Sequence, residues 1–222
     1  MAGPAPKSAP KSGITQRTDL QALSFLRGGA RETTRDRHID SFIALWRELA
    51  ADAGGVPDKA DFSIRKLKPY LTSYFLAEWV DDDLVNRLIG SQYDDKFAKG
   101  LTGTSFFAKF SGFQRDFFHT FWRQLVDHPC GVLMARTVVE PTGRAIRLEG
   151  VDLPLADRHG DVRFICGVGD VRTLHGALVD PSEERQVFID HIEYLDLGFG
   201  VPTSRPDPEA FNAANSAAPP IC

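Results

Sequence analysis

Five segments of the chain alternate apolar and polar residues, and this two-residue period predicts β-strands. They are residues 71–80, 84–89, 131–139, 144–155 and 162–171. Asp81-Asp82-Asp83 joins the first two segments and predicts a hairpin turn. Pro141-Thr142-Gly143 and residues 157–160 are turn sequences that separate the last three. The pattern therefore predicts one five-stranded sheet.

Apolar residues at helical spacing mark three further segments. The first stripe consists of Ile39, Phe42, Ile43, Trp46 and Leu49, and its helix is expected to end near Gly54-Gly55. A short helix within residues 58–70 ends before Pro69, because proline disfavours helical geometry in the preceding residue. Between residues 113 and 126 the apolar arc spans about 220°, which is wider than one buried face requires. That helix should contact the sheet and also the N-terminal helix, a second subunit or a ligand.

Together the strands and helices predict an α+β domain over residues 39–175. Residues 1–18 are rich in Pro, Ala, Lys and Ser and are expected to be a disordered tail. Residues 19–38 predict an N-terminal helical extension that packs on its own domain, with a docking arm as the alternative. Residues 176–200 are expected to be an extension that packs on the domain, in which helical and extended patterns fit about equally. Residues 201–222 have the composition of a flexible tail.

Composition excludes several classes of protein. The chain has 222 residues, of which 42% are hydrophobic and 25% charged, and this favours one domain with extensions. A net charge of −4 leaves no basic footprint for nucleic acid. The three cysteines have no CxxC spacing, so neither zinc nor disulfides are supported. No apolar run approaches the roughly 20 residues of a membrane span, and no signal peptide precedes the domain. These features predict a cytoplasmic protein.

Three local features could carry chemistry, but each has a simpler structural interpretation. The three aspartates at 81–83 lack further oxygen ligands at loop spacing, so we interpret them as a solvated turn and not as a metal site. His119 could ligate haem or a metal, but it lies outside the apolar arc of its helix. Cys166 is interpreted as a small buried hydrophobe because no base stands at a recognisable spacing. No catalytic or metal-ligating residue is therefore assigned.

The stretch from residue 85 to 107 is typical of one wall of a ligand-sized cavity. It combines a strand, a helical turn and a loop bounded by Gly100 and Gly103, where glycine permits positive φ. Strict alternation in the strand would place Arg87 and Ile89 on one face and Asn86 on the other. In the last strand, Gly167 and Gly169 mark a face where another group approaches the backbone closely.

Short motifs spread along the chain also carry a family resemblance. The most specific are Arg87-Leu88-Ile89-Gly90-Ser91 and Gly100-Leu101-Thr102-Gly103. Further motifs are Leu45-Trp46, residues 56–62, residues 67–71 and Leu153-Pro154-Leu155. Over residues 39–173 the chain resembles the alphaproteobacterial PAS-domain family PAS_5, although Ser63 stands where such sequences usually have proline. The resemblance implies a five-stranded antiparallel PAS sheet with helices over one face, often enclosing a pocket.

This resemblance implies a stand-alone sensory or regulatory domain that acts through protein contacts. A ligand that prefers one of two packings would shift their populations. The expected partners are a small apolar or amphipathic ligand and a second protein or a second copy of the chain. The cofactor stays unassigned, because Cys166 lies in a strand and not in the Asn-Cys-Arg-Phe context of flavin-binding members, and His119 does not provide a pocket-facing haem ligand.

The pocket candidates are the polar and aromatic residues on and after the second strand. They are Asn86, Ser91, Gln92, Tyr93, Thr102 and Thr104 as polar groups, and Phe97, Phe106, Phe107 and Phe117 as apolar wall.

Two alternatives stay open at this point. The first is an isomerase or dehydratase on a cone-shaped fold similar to nuclear transport factor two. In such an enzyme Asp94, Asp95 or Asp152 would act as a base of raised pKa beside a donor such as Tyr93. The second is a structural dimerisation module without a ligand, held together by the wide phenylalanine-rich helix.

Overall fold

The computed structural model describes residues 37–97, 99–110, 112–174 and 185–217. The expected tail at residues 1–18 and all but the last two residues of the expected extension at 19–38 lie outside the described residues. Helix α1 begins at Arg37, just before the predicted domain boundary.

Five α-helices and six strands form the described part of the chain. The helices are α1 (Arg37–Ala53), α2 (Ile64–Leu67), α3 (Ser91–Lys96), α4 (Gly112–Asp127) and α5 (Pro208–Ala217). The strands are β1 (Tyr74–Val80), β2 (Asp83–Ile89), β3 (Gly131–Val139), β4 (Ala145–Ala156), β5 (Val162–Leu174) and β6 (Gln186–Leu195). Two short 3₁₀ helices, Lys59–Asp61 and Phe106–Lys109, precede α2 and α4.

The strands form one antiparallel sheet in the order β2-β1-β5-β4-β3-β6. The predicted α+β class, the antiparallel PAS-like sheet and the β1–β2 hairpin are confirmed. The sheet has six strands and not five, because residues 186–195 pair with β3 along its free edge. The ambiguous pattern there is resolved as a strand, since Val187, Phe188 and Ile189 are all buried once β3 supplies backbone partners.

Helices cover both faces of the sheet, whereas the resemblance implies one covered face. The apolar stripe of α1 packs against alternate residues of β4 and β5 on one face of the sheet, which we call the back face. The opposite face is the front face. Trp46 is fully buried there and donates its indole N–H to the carbonyl oxygen of Pro154 at 2.8 Å. An amphipathic helix of this length must bury its stripe, so α1 needs a sheet face of its own.

Helix α4 lies on the opposite face, and α5 covers its outer side. The structure differs here from the expected tail at 201–222, because residues 208–217 are helical. Phe211 is 3% exposed, and its ring centroid lies 4.5 Å from that of Phe117. The side-chain amide of Asn212 donates to the carbonyl oxygen of Ile189 at 2.7 Å and accepts its N–H at 2.9 Å. The second partner of the wide apolar arc is therefore α5.

The expected alternation of β2 is interrupted at Arg87. Leu88 pairs with Leu76 and Asn86 with Ala77, so Arg87 is an extra residue between two consecutive partners on β1. Such a bulge reverses the sense of alternation along the strand. As a result Asn86 and Ile89 face the same side, which is where α3 and α4 lie.

Candidate functional site

A cavity of about 340 Å³ lies between the sheet and the crossover, which we define as residues 97 and 99–110. The sheet contributes apolar side chains from β1, β3, β4, β5 and β6, and α3 and α4 contribute Tyr93 and Trp122. Residues that line it include Phe75, Asn86, Ile89, Tyr93, Phe97, Leu101, Thr104, Phe106, Phe110, Trp122, Met134, Arg136, Val138, Leu148, Asp152, Val171 and Val187.

The crossover forms the outer wall of the cavity. The lining residues with exposed surfaces, Lys99, Gly100, Thr104 and Ala108, all belong to it. Asn86 binds this wall to β2, because its backbone N–H and its side-chain Nδ2 both donate to the carbonyl oxygen of Thr104, at 3.0 and 3.2 Å. Its own carbonyl oxygen accepts the N–H of Gly103, whose φ is +83°. The bulge in β2 thus positions the residue that anchors the wall.

Two glycines of β5 let aromatic side chains lie directly on the sheet. A Cβ on Gly167 would be 2.5 Å from Cε1 of Phe75 and 2.1 Å from the carbonyl oxygen of Val151. A Cβ on Gly169 would be 3.0 Å from the hydroxyl of Tyr93. The predicted close approach to this face is confirmed, and the approaching groups are two residues that line the cavity.

The cavity also contains a cluster of polar side chains from four different elements. Asp152 on β4 accepts the indole N–H of Trp122 on α4 at 2.9 Å. Burial raises the pKa of the Asp152 carboxyl, while this hydrogen bond and the nearby Arg136 charge oppose the shift. Burial also raises the pKa of Tyr93, and the negative charge of Asp152 adds to that effect. These residues place polar side chains in the otherwise apolar cavity, hereafter the chamber.

Several charged groups at the cavity already have partners. Arg185 lies 3.2 Å from Glu140, and Glu149 lies 2.7 Å from Arg147. Asp170 is paired with Arg172. These ion pairs largely cancel their own charges, so Arg136, Lys99 and Asp152 dominate the electrostatics of the chamber.

The structure brings half of the predicted pocket residues to the cavity. Those that line it are Asn86, Tyr93, Phe97, Thr104 and Phe106. Those that do not are Ser91, Gln92, Thr102, Phe107 and Phe117. Ser91 and Gln92 directly precede Tyr93 in sequence but point elsewhere, because successive helical positions differ by about 100°. Thr102 is exposed on the crossover. A binding role for the five lining residues stays a prediction.

Phe107 belongs to the packed core, and the half-buried Phe117 packs against that core; neither lines the cavity. Phe107 is 1% exposed, and its ring centroid is 5.8 Å from that of Trp79. Phe117 lies on the outer side of α4 against Phe211. Their apolar character, on which the prediction for the wall rests, does not distinguish core from cavity.

Arg136 and Trp122 are lining residues that the predicted site lacks. Arg136 stands between Met134 and Val138 on the apolar face of β3, and a charged residue in such a row is a usable signal. Trp122 lies in the middle of an apolar helix face and looks like ordinary core in the sequence. Only the packing of α4 on the sheet shows that its ring borders empty space.

The residues of the enzyme alternative separate in the structure. Asp152 and Tyr93 both line the cavity, but Asp94 and Asp95 of α3 do not. Asp95 is exposed and Asp94 is half-buried. The alternative therefore depends on Asp152, whose carboxyl is already bound by Trp122.

The other local features have structural partners. His119 Nε2 lies 2.9 Å from Asp82, and its ring packs 5.2 Å from Trp79, outside the cavity. Asp81 adopts φ +53° in the hairpin turn, and Asp83 accepts the hydroxyl of Ser105 at 2.7 Å. Within the described ranges no group of three or more His, Cys, Asp or Glu could hold a metal ion. No helix of the described residues is long and apolar enough to cross a membrane.

Residues 35–169 match the family described as PAS domain, PAS_5. The matched range includes α1, the crossover, α4 and most of the cavity wall, while β6 and α5 follow it. No curated protein matches the chain. The resemblance inferred from the short motifs is confirmed over nearly the same residues.

Proposed function

The chain belongs to the PAS domain family PAS_5, and from this membership we propose that its cavity binds a small, largely apolar molecule. Membership makes the chain a sensory or regulatory domain at the level of the family. Binding would change how the domain contacts another protein. The observation that carries this proposal is the chamber of about 340 Å³ behind the crossover.

The size and lining of the chamber support a small-molecule ligand. Its volume lies near the lower end of the range of about 300–1,000 Å³ that is typical of ligand pockets. Aromatic and aliphatic side chains make up most of the wall, with a few polar groups gathered around Asp152. This combination of an apolar body with few convergent polar groups favours ligands of small size and limited polarity.

The crossover and α4 offer a route from the chamber to the surface. Phe106 lines the chamber, and its ring centroid lies 4.4 Å from that of Trp122 on α4. Helix α4 in turn carries Phe117 against Phe211 of α5. A ligand that prefers one packing of this aromatic contact shifts the populations of α4 and α5, and a partner protein can detect the shift.

Benzene titration followed by NMR tests the proposal, since benzene is a neutral occupant of apolar cavities. We expect saturable shifts of the crossover amides and of the Trp122 indole N–H. Native mass spectrometry of the same protein, purified without added ligands, should show any molecule that is retained from the cell. Unchanged crossover signals throughout the titration, with no retained molecule, would contradict the proposal.

A pair of variants separates cavity binding from a general effect of added apolar surface. Val138→Phe places a larger side chain at a lining position, so it should abolish the saturable shifts. Val85→Phe adds the same ring at a half-buried position of β2 that does not line the chamber, and it should leave them unchanged. Equal loss in both variants would show that the shifts do not report the cavity.

A further inference from the structure

Arg136 lines the chamber without a carboxylate partner among the described residues. Among the described residues its only hydrogen-bonding contact is a weak one from Nη1 to the sulfur of Met134 at 3.8 Å. The guanidinium also lies over the rings of Phe118 and Trp122, with its central carbon 5.7 and 5.5 Å from their centroids. Aromatic faces stabilise the cation but accept none of its in-plane hydrogen bonds.

This arrangement leaves most of the donors of Arg136 unused. A guanidinium has five N–H groups in a planar fork, and one contact to sulfur satisfies little of that capacity. Asp152 is nearby, but it lies beyond ion-pair distance and accepts the indole N–H of Trp122 instead. The second arginine at the cavity, Arg185, is paired with Glu140. Arg136 is thus the lining arginine available to an occupant.

We propose that the occupant is an amphipathic anion, an apolar molecule with a single carboxylate that Arg136 binds as a planar, two-point partner. The inference rests on the proposed function, since it specifies the ligand of the same chamber. The planar fork of arginine matches a carboxylate better than it matches a neutral hydroxyl. The apolar body would lie between the lining phenylalanines and the aliphatic residues of β3 and β4.

Two neighbouring groups agree with an anionic head group. The hydroxyl of Tyr93 lies on the same chamber and can donate to a second carboxylate oxygen. Lys99 adds a positive charge at the exposed rim and would steer anions toward the opening.

Isothermal titration with octanoate, octanol and octylammonium tests the head group while keeping the alkyl body constant. At neutral pH we expect octanoate to bind about 10–100-fold more tightly than octanol, as one charge-assisted hydrogen-bonded contact predicts. Octylammonium should bind most weakly. The side-chain Nε–H resonance of Arg136 should shift with octanoate and not with octanol.

Matched variants test whether Arg136 causes the preference for octanoate over octanol. Arg136→Met should remove it, lowering octanoate affinity about 10–100-fold and changing octanol affinity by less than about threefold. Arg136→Lys should restore part of it. Arg123→Met deletes an arginine that also lies over a tryptophan ring, Trp79, but outside the chamber, and it should bind like the natural chain. Melting temperatures of all variants exclude unfolding as the cause.

The outcomes separate this inference from the proposed function. Equal binding of octanoate and octanol overturns the anionic head group but keeps an apolar ligand. Failure of octanoate to bind, while benzene still gives saturable shifts, also overturns the inference alone. Failure of every probe, including benzene, removes the ligand site itself. If Arg136→Met does not fold, the three-probe comparison and the Arg136 resonance in the natural chain decide the matter.

Discussion

The same strands form a closed core on one face of the sheet and the wall of a cavity on the other. On the back face β4 presents Val151, Leu153 and Leu155, each 0% exposed, to the apolar stripe of α1. On the other face the same strand presents Gly150 and Asp152 to the chamber. The back face is a closed core, whereas the front face carries a cavity with polar groups inside it.

This difference separates a face that is closed by packing from the face that carries the candidate site. Close packing against α1 leaves little space behind the sheet, so substitutions there change packing alone. The front face is covered by three separate segments, namely the crossover, α4 and α5, and the chamber lies between them and the sheet. A chamber with Arg136 and Asp152 in its wall costs stability, and the packed cores on both faces of the sheet offset that cost.

The largest expected effect comes from the same substitution on the two faces of β4. Leu153→Ala leaves a void in the closed core and should lower the free energy of unfolding by about 4 kcal/mol. Leu148→Ala enlarges a chamber that already exists, and should cost about 2 kcal/mol. Urea denaturation of both variants measures the difference. Equal losses would mean that the front face is as tightly packed as the back.

The next effect concerns α5, which completes the front face. Phe211→Ala should lower stability by about 3 kcal/mol, because it removes a buried ring that contacts Phe117 and Phe118. It should also increase self-association in analytical ultracentrifugation, since the apolar outer side of α4 becomes exposed. Phe199→Ala, at a ring that is 42% exposed, is the matched control. A monomer of unchanged stability would show that α5 is not needed to cover α4.

A smaller effect is expected where the crossover is anchored. Asn86→Ala removes the side-chain hydrogen bond to Thr104 and should cost about 1–3 kcal/mol. Hydrogen exchange of the Gly103 amide should become faster, while exchange in α1 on the back face stays slow. Thr102→Ala, on the exposed part of the same loop, should change stability by less than about 0.5 kcal/mol. Uniform acceleration on both faces would contradict a local anchor.

The smallest effect is a pH dependence from the buried carboxyl. The pKa of Asp152 is raised in the folded state, so the folded protein binds this proton more tightly than the unfolded chain does. Wild-type stability therefore falls as the pH rises from the unfolded pKa, about 3.9, through the folded pKa. Asp152→Asn lacks this loss, and should melt higher at neutral pH by less than about 4 °C.

Thermal melts from pH 3 to pH 8 measure this difference, which should shrink toward acid pH as the wild-type carboxyl becomes protonated. Asp95→Asn, which makes the same change at an exposed position of α3, is the matched control. A constant difference across the pH range would mean that Asp152 is not the titrating group.

Most of the fold could be predicted because its elements have strong local periods. The strand pattern identified β3 with its bounds and β1, β2, β4 and β5 within a few residues. Two elements, β6 and α5, could not be predicted from the sequence, and the physical reason is the same for both. In β6 three consecutive buried residues obscure the alternation, and α5 carries Phe211 among small and polar residues, so neither has a clear pattern until a neighbour covers it.

The candidate site could be predicted only in part. The segment was recognised from its glycines and aromatic residues, and five of its candidates line the chamber. The rest depends on directions that sequence spacing does not give. The bulge at Arg87 decides that Asn86 faces the chamber, and the packing of α4 decides that Trp122 does so while Phe117 does not.

The sequence by itself determined the family, the α+β class and the local chemistry of the strands, because short motifs and hydrophobic periods are properties of neighbouring residues. Tertiary structure alone decided which side chains share the chamber. Arg136, Asp152, Tyr93 and Trp122 come from four elements that meet only when the strands pair in order β5-β4-β3 and the helices close over them. Their meeting depends on long-range packing, which local spacing does not encode.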